Sequence, residues 1–187
     1  YAMETDEVQS LVFRGFSGLR YTASALVQLP QGQDARAAWL RLLSQELTFG
    51  EQPAGNGDGG TQTATFVAFS AHGIETLSGE IGTVDGAQSL AAFSSAFCMG
   101  MAARSHVLGD TGPSAPQQWL WTDTDIGQHD AGIPVTDAIL FVYAATPEEC
   151  TASLARHRAA LGFDFLHVVN TQPVASDLYA PDTTAPP

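Results

Sequence analysis

The strongest constraint on how this chain can fold is a helix start at Thr146 set between two strand-like runs. Thr146 stands before Pro147, and Glu149, three residues on from the threonine, completes a Thr-x-x-Glu capping box. Cys150, Leu154 and Leu161 then line one helix face, and Gly162 ends the helix. The nearly continuous apolar run Asp137–Ala145 precedes it and Phe163–Thr171 follows, so the segment reads strand, helix, strand. The same order occurs earlier. Tyr21–Leu29 has the alternation and β-branched content of a strand and stops at Pro30. After the turn Gln31-Gly32-Gln33, Asp34 is the expected N-cap of a helix running to about Leu47, with Ala35, Ala38, Trp39, Leu42 and Leu43 as its apolar stripe. Gln62–Phe69 returns to strand character, with Thr63, Thr65, Val67 and Phe69 on one face.

Between the two units lies an insertion. Ser70–Gly79 reads as a short helix. A longer one is expected from about Ser89, with Leu90, Phe93, Phe97, Met101 and Leu108 on one side and Gly109 as its stop. Phe93, Phe97 and Met101 are expected to face the sheet or the inserted helices, because aromatic and methionine residues at this spacing usually form a core stripe. Asp110–Pro134 is irregular, rich in Gly, Pro, Asp and Thr, and holds Trp119 and Trp121. Two β-α-β units separated by a helical insertion predict an α+β, ferredoxin-like sandwich with an antiparallel sheet and helices on one face. Asp137–Ala145 and Phe163–Thr171 are expected to be neighbours in that sheet. The domain is placed at residues 8–172, with a disordered start at 1–7 and a Pro/Thr/Asp tail or linker at 173–187. The open sheet face calls for a cover: a partner domain, a second copy, or a ligand.

Charge and composition narrow the function. The net charge is −13, with seven arginines and no lysine, which argues against nucleic acid or an anionic membrane surface as a partner. No apolar run reaches the length of a membrane span. The acidic start carries no apolar signal segment, so a cytoplasmic location is the expectation. Cys98 and Cys150 each fall on the apolar side of an expected helix and read as two buried, reduced thiols. The five histidines, His72, His106, His129, His157 and His167, include no pair at zincin spacing. His106 and His157 are expected on helices and partly exposed. His167 alternates with Phe165 and Val169 on the last strand and reads first as a satisfied core or interface group. It is also the one residue to test as a haem or metal ligand. Asp123, Asp125, His129 and Asp130 form the densest polar cluster, at intervals that fit no standard cation loop. Arg14, Arg20 and Arg104 are open to carboxylate binding or to surface ion pairs. No catalytic residue and no metal site is assigned.

Three segments in order carry a resemblance: Val8–Phe16 ahead of the first strand; Phe93-Ser94, Phe97–Arg104, Leu108–Gly112 and Pro116–Trp119; and His129–Gly132 leading into Ile139–Ala144. Together they resemble the N-terminal domain of the dye-decolorising peroxidases, haem enzymes with two ferredoxin-like domains in one chain, over about Val8 to Gln172. The resemblance implies a haem context and peroxide-dependent oxidation. It also implies that the haem pocket is built mainly after the region seen here. In that family a Gly-x-x-Asp-Gly motif supplies the distal aspartate, and a later histidine and arginine supply the proximal ligand and distal cation. Gly-x-x-Asp-Gly occurs here as Gly55–Gly59 and Gly82–Gly86, both upstream of the third strand, so Asp58 and Asp85 are not assigned that role. The expectation is a peroxidase half that is not catalytic alone and pairs with a C-terminal partner domain or with copies of itself. The alternative is a non-catalytic structural, assembly or binding module derived from that family.

Overall fold

A computed structural model describes residues 5–12, 15–16, 18–50, 63–78, 90–119 and 135–171, with the side chains of residues 5, 170 and 171 excepted. Strand β1 (Tyr21–Val27), helix α1 (Gln33–Glu46) and strand β2 (Thr63–Phe69) form the first unit. Strand β3 (Ala138–Ala144), helix α5 (Pro147–Leu161) and strand β4 (His167–Thr171) form the second. The insertion contributes α2 (Ala71–Ser78), α3 (Ser95–Ala103) and the four-residue α4 (Ser105–Leu108). Thr5–Glu7 is a 3-10 turn.

The four strands lie in the order β2-β3-β1-β4, and each neighbouring pair is antiparallel. This is the expected α+β, ferredoxin-like architecture. One expectation is corrected. β3 and β4 are not neighbours, because β1 lies between them, pairing Ala25 with Leu140 on one side and with Val168 on the other. A helix of 15 residues returns the chain to the strand's starting end, and its breadth carries it past one strand position. β1 fills the gap.

The helix-side face of the sheet holds the main core. Ala23, Ala25 and Val27 of β1 and Leu140 and Val142 of β3 meet Trp39 and Leu43 of α1 and Cys150, Leu154 and Leu161 of α5. The alanines of β1 leave room at the centre of the sheet for the fully buried indole of Trp39. Its ring stands edge-on to Phe69 at 6.3 Å. On the opposite face, Phe16 and Leu19 close over β2 and β3 and pack with Phe66, Phe141 and Tyr143. The outer edge of β2 is also protected. The Gln9 side-chain amide donates to Val67 O at 2.9 Å and accepts from Val67 N at 2.8 Å, as an added strand would.

The helix ends follow their local chemistry, with one shift. Thr146 Oγ1 accepts from Glu149 N, and Glu149 Oε2 accepts from Thr146 N, so both arms of the capping box are present. Gly162 ends α5 at φ 82°. α1 begins earlier than expected: Gly32 is its N-cap, without a side-chain bond, and Asp34 lies in the first turn. β4 is shorter than expected because residues 163–166 form the turn out of α5.

The insertion departs further from expectation. The single long helix is two, and the first begins at Ser95 with Ser94 Oγ accepting from Phe97 N. Gly100 at φ 70° breaks the helical geometry, so the expected one-sided stripe is not continuous. Phe93 and Met101 are exposed and Phe97 is half-buried. Cys98, expected buried, is exposed, whereas Cys150 is buried. Among the described residues no helix is long and apolar enough to cross a membrane.

Candidate functional site

Two clusters of ionisable side chains stand out, and neither was singled out from sequence. The first is built on Asp137, which immediately precedes β3 and is 2% exposed. Its Oδ2 accepts from the backbone N–H of Leu29 at 2.6 Å, just beyond β1. Its Oδ1 lies 2.5 Å from His72 Nδ1 on the first turn of α2. Its backbone joins the same knot, donating to Val27 O and accepting from Ser70 N. Asp137 thus closes the base of the insertion, tying the residue that leaves β2 to the residue that enters β3. The pairing directs Nδ1 of His72 inward, while the side chain remains 55% exposed. A carboxylate at one ring nitrogen fixes the tautomer and frees Nε2 as an acceptor. Gly73 is required here, because a Cβ at that position would lie 2.1 Å from Asp137 O.

The second cluster joins α1 to α5. Arg156 Nε donates to Glu46 Oε1 at 2.8 Å, and His157 Nε2 lies 3.1 Å from Glu46 Oε2. The His157 ring is completely buried, which corrects the expectation of partial exposure. Neither ring nitrogen has a well-directed hydrogen bond, so its contact with Glu46 is one of proximity. Burial acts to raise the Glu46 carboxyl. The close approach of His157 and the hydrogen bond and charge of Arg156 together outweigh it and bring the pKa down to about 2. This arrangement ties the two helices together. Nearby, burial pushes the Cys150 thiol up, opposed by hydrogen bonding at the Ala23 backbone and reinforced by Glu149. A buried thiol held in its neutral form is a poor nucleophile.

The residues singled out from sequence do not converge. His167 is half-buried on edge strand β4, opposite Leu26. His106 is exposed on α4, Arg20 is exposed and Arg104 caps α4. Asp58, Asp85, Trp121, Asp123, Asp125, His129, Asp130 and Arg14 lie outside the described residues. Among the described residues no three His, Cys, Asp or Glu side chains gather in a metal-binding group. A depression of about 360 Å³ on the outer face of α5 is lined by Pro147, Glu148, Thr151, Ala152 and Ala155. It has no nitrogen or sulfur donor and no second wall, so it does not fit a haem, which needs an axial ligand and an apolar slot. His72 has the carboxylate-backed chemistry of an axial ligand, but it stands on the surface.

Two β-α-β units with strand order β2-β3-β1-β4 define a ferredoxin-like α+β domain. No protein-family model and no curated protein matches the sequence. Solved structures share the fold. An ancestral D-type dye decolorizing peroxidase is similar at a TM-score of 0.65 and 15% identity, over 91% of this chain and 35% of that one. The DyP-type peroxidase of Anabaena sp. is similar at a TM-score of 0.57 and 16% identity, over 83% of this chain and 32% of that one. The chain has the fold of one part of these peroxidases and spans about a third of their length.

Proposed function

We propose that this chain is the N-terminal half of a dye-decolorising-type haem peroxidase and serves peroxide-dependent oxidation together with a C-terminal half that supplies the haem ligands. The supporting observation is the shared fold, which takes in 91% of this chain but only 35% of the peroxidase it resembles. The order of the quoted sequence segments points the same way. The described histidines support a scaffold role within that enzyme: His157 serves the helix interface, His72 serves the insertion, and His167 lies on an edge strand.

The test is haem uptake by the purified chain. Haemin is added, the Soret band is recorded, and peroxide-dependent dye oxidation is assayed with and without a C-terminal peroxidase half. The expected result is no stoichiometric haem on the chain alone and activity only with the second half. Stoichiometric haem on the isolated chain, with a histidine-type spectrum abolished by His167→Ala, overturns the proposal. Failure of any C-terminal half to restore activity favours the non-catalytic module.

A further inference from the structure

In the described sheet β2 lies at one edge, with β3 on its inner flank. Its residues Thr63–Phe69 include no charge, no proline and no glycine, and they combine Thr, Phe and Val. An edge strand of that composition is a template for a further strand unless something blunts it. The common devices, a lysine or a proline on the edge, are missing from β2. What closes it comes from elsewhere in the chain. Alternate residues of the strand turn their N–H and C=O away from β3. At Thr65 the outward C=O accepts from Thr48 N at 3.0 Å, and the N–H donates to Thr48 Oγ1 at 3.3 Å. At Val67 both groups are taken by the side-chain amide of Gln9. That amide offers a donor and an acceptor together, as a peptide unit does, so Gln9 fills the place of one residue in a neighbouring strand. Gln9 is held on a short strap. Gly50 N donates to Val8 O, Ser10 N to Thr48 O, and Ser10 Oγ to Gly50 O at 2.6 Å. The strap thus grips the same Thr48 that closes Thr65, and the two guards act as one unit. Just past Ser10, Leu11 and Val12 are exposed, whereas Thr65 and Val67 are buried beneath the guard. A segment tied by a few hydrogen bonds and little buried apolar surface opens before the core does.

We infer that β2 is a strand-addition edge held shut by Gln9, and that its occupant when the strap lifts is β2 of a second copy of this chain. Two copies of one edge strand can pair antiparallel about a two-fold axis, the outward N–H and C=O groups of each meeting those of the other. The strand itself carries no charge to oppose that contact. The net −13 of each chain opposes only the approach, over a distance that salt shortens. Neither haem nor a C-terminal half enters this contact.

Removing the guard from the full chain tests this. Light scattering and residue-resolved hydrogen exchange are measured for the parent and for Gln9→Ala over a range of protein and salt concentrations. In the parent the Val67 amide, bonded to Gln9 Oε1, should be protected at every concentration. In Gln9→Ala it should exchange faster in dilute solution and regain protection as the chain is concentrated. Self-association should tighten at least about 10-fold over the parent, and further at high salt. Ala68 is exposed on the same strand, and adding Ala68→Lys to Gln9→Ala should abolish the gain, since an edge lysine blocks strand addition. Should Gln9→Ala lose the native circular dichroism, Gln9→Glu is read in the same way: it is isosteric, and its carboxylate keeps the acceptor for Val67 N–H but loses the donor to Val67 O. A folded Gln9 variant whose mass equals that of the parent at every concentration overturns the inference. So does an association that leaves the Val67 amide unprotected or that survives Ala68→Lys, because the contact then lies elsewhere.

Discussion

Replacing Glu46 with glutamine isolates the α1–α5 clasp. The carboxyl's pKa falls from an ordinary 4.5 to about 2 on folding. A drop of that size corresponds to about 3 kcal/mol of pH-dependent stabilisation. Arg156 is half-exposed and its share is screened by solvent, so about 2 kcal/mol is the expected loss at neutral pH. His157 adds to the cost, because its buried ring then loses the carboxylate 3.1 Å from Nε2. The sign follows from the depressed value. The stabilisation is fully present above the unfolded pKa of 4.5 and is lost as pH falls through 4.5 toward about 2. Urea unfolding of the parent and Glu46→Gln should therefore differ most at pH 7 and converge by about pH 2, the gap closing at up to about 1.4 kcal/mol per pH unit. Other carboxyls titrate in the same window, but they cancel in the difference between the two proteins. A constant gap across that window, or none at pH 7, refutes the assignment of a charged Glu46 to the helix interface.

Two further substitutions test the base of the insertion. Asp137→Asn should cost about 1–3 kcal/mol in urea unfolding, because one donor among Leu29 N–H and His72 Nδ1–H then meets an amide NH2; His72→Ala should cost less, since that ring is half-exposed. Gly73→Ala separates helix propensity from packing. On an open helix it would stabilise by about 1 kcal/mol, whereas a Cβ 2.1 Å from Asp137 O should destabilise by about 1–3 kcal/mol, and a raised Tm contradicts the close approach.

Much of the sandwich was legible in the sequence because local signals agreed with one another. The Thr146 box, Pro147 and Gly162 define α5 without reference to any other part of the chain. The insertion was less legible. Aromatic and methionine spacing from Phe93 to Leu108 predicts a core stripe, but that spacing says only that a surface is apolar, not what covers it. Gly100 then breaks the periodicity on which the expectation rested. Asp137 left a readable signal, an acid opening an apolar strand, since such an acid needs a partner when buried.

The two β-α-β units, their order along the chain and both caps of α5 were determined by the sequence alone, because each depends on contacts within a few residues. The tertiary structure decided that β1 separates β3 from β4, that His72 meets Asp137 across 65 positions, and that Glu46 draws in His157 across the helix pair. Those outcomes depend on where the chain returns in space. Propensity and periodicity are short-range properties and carry no record of which distant donor will meet a buried carboxylate.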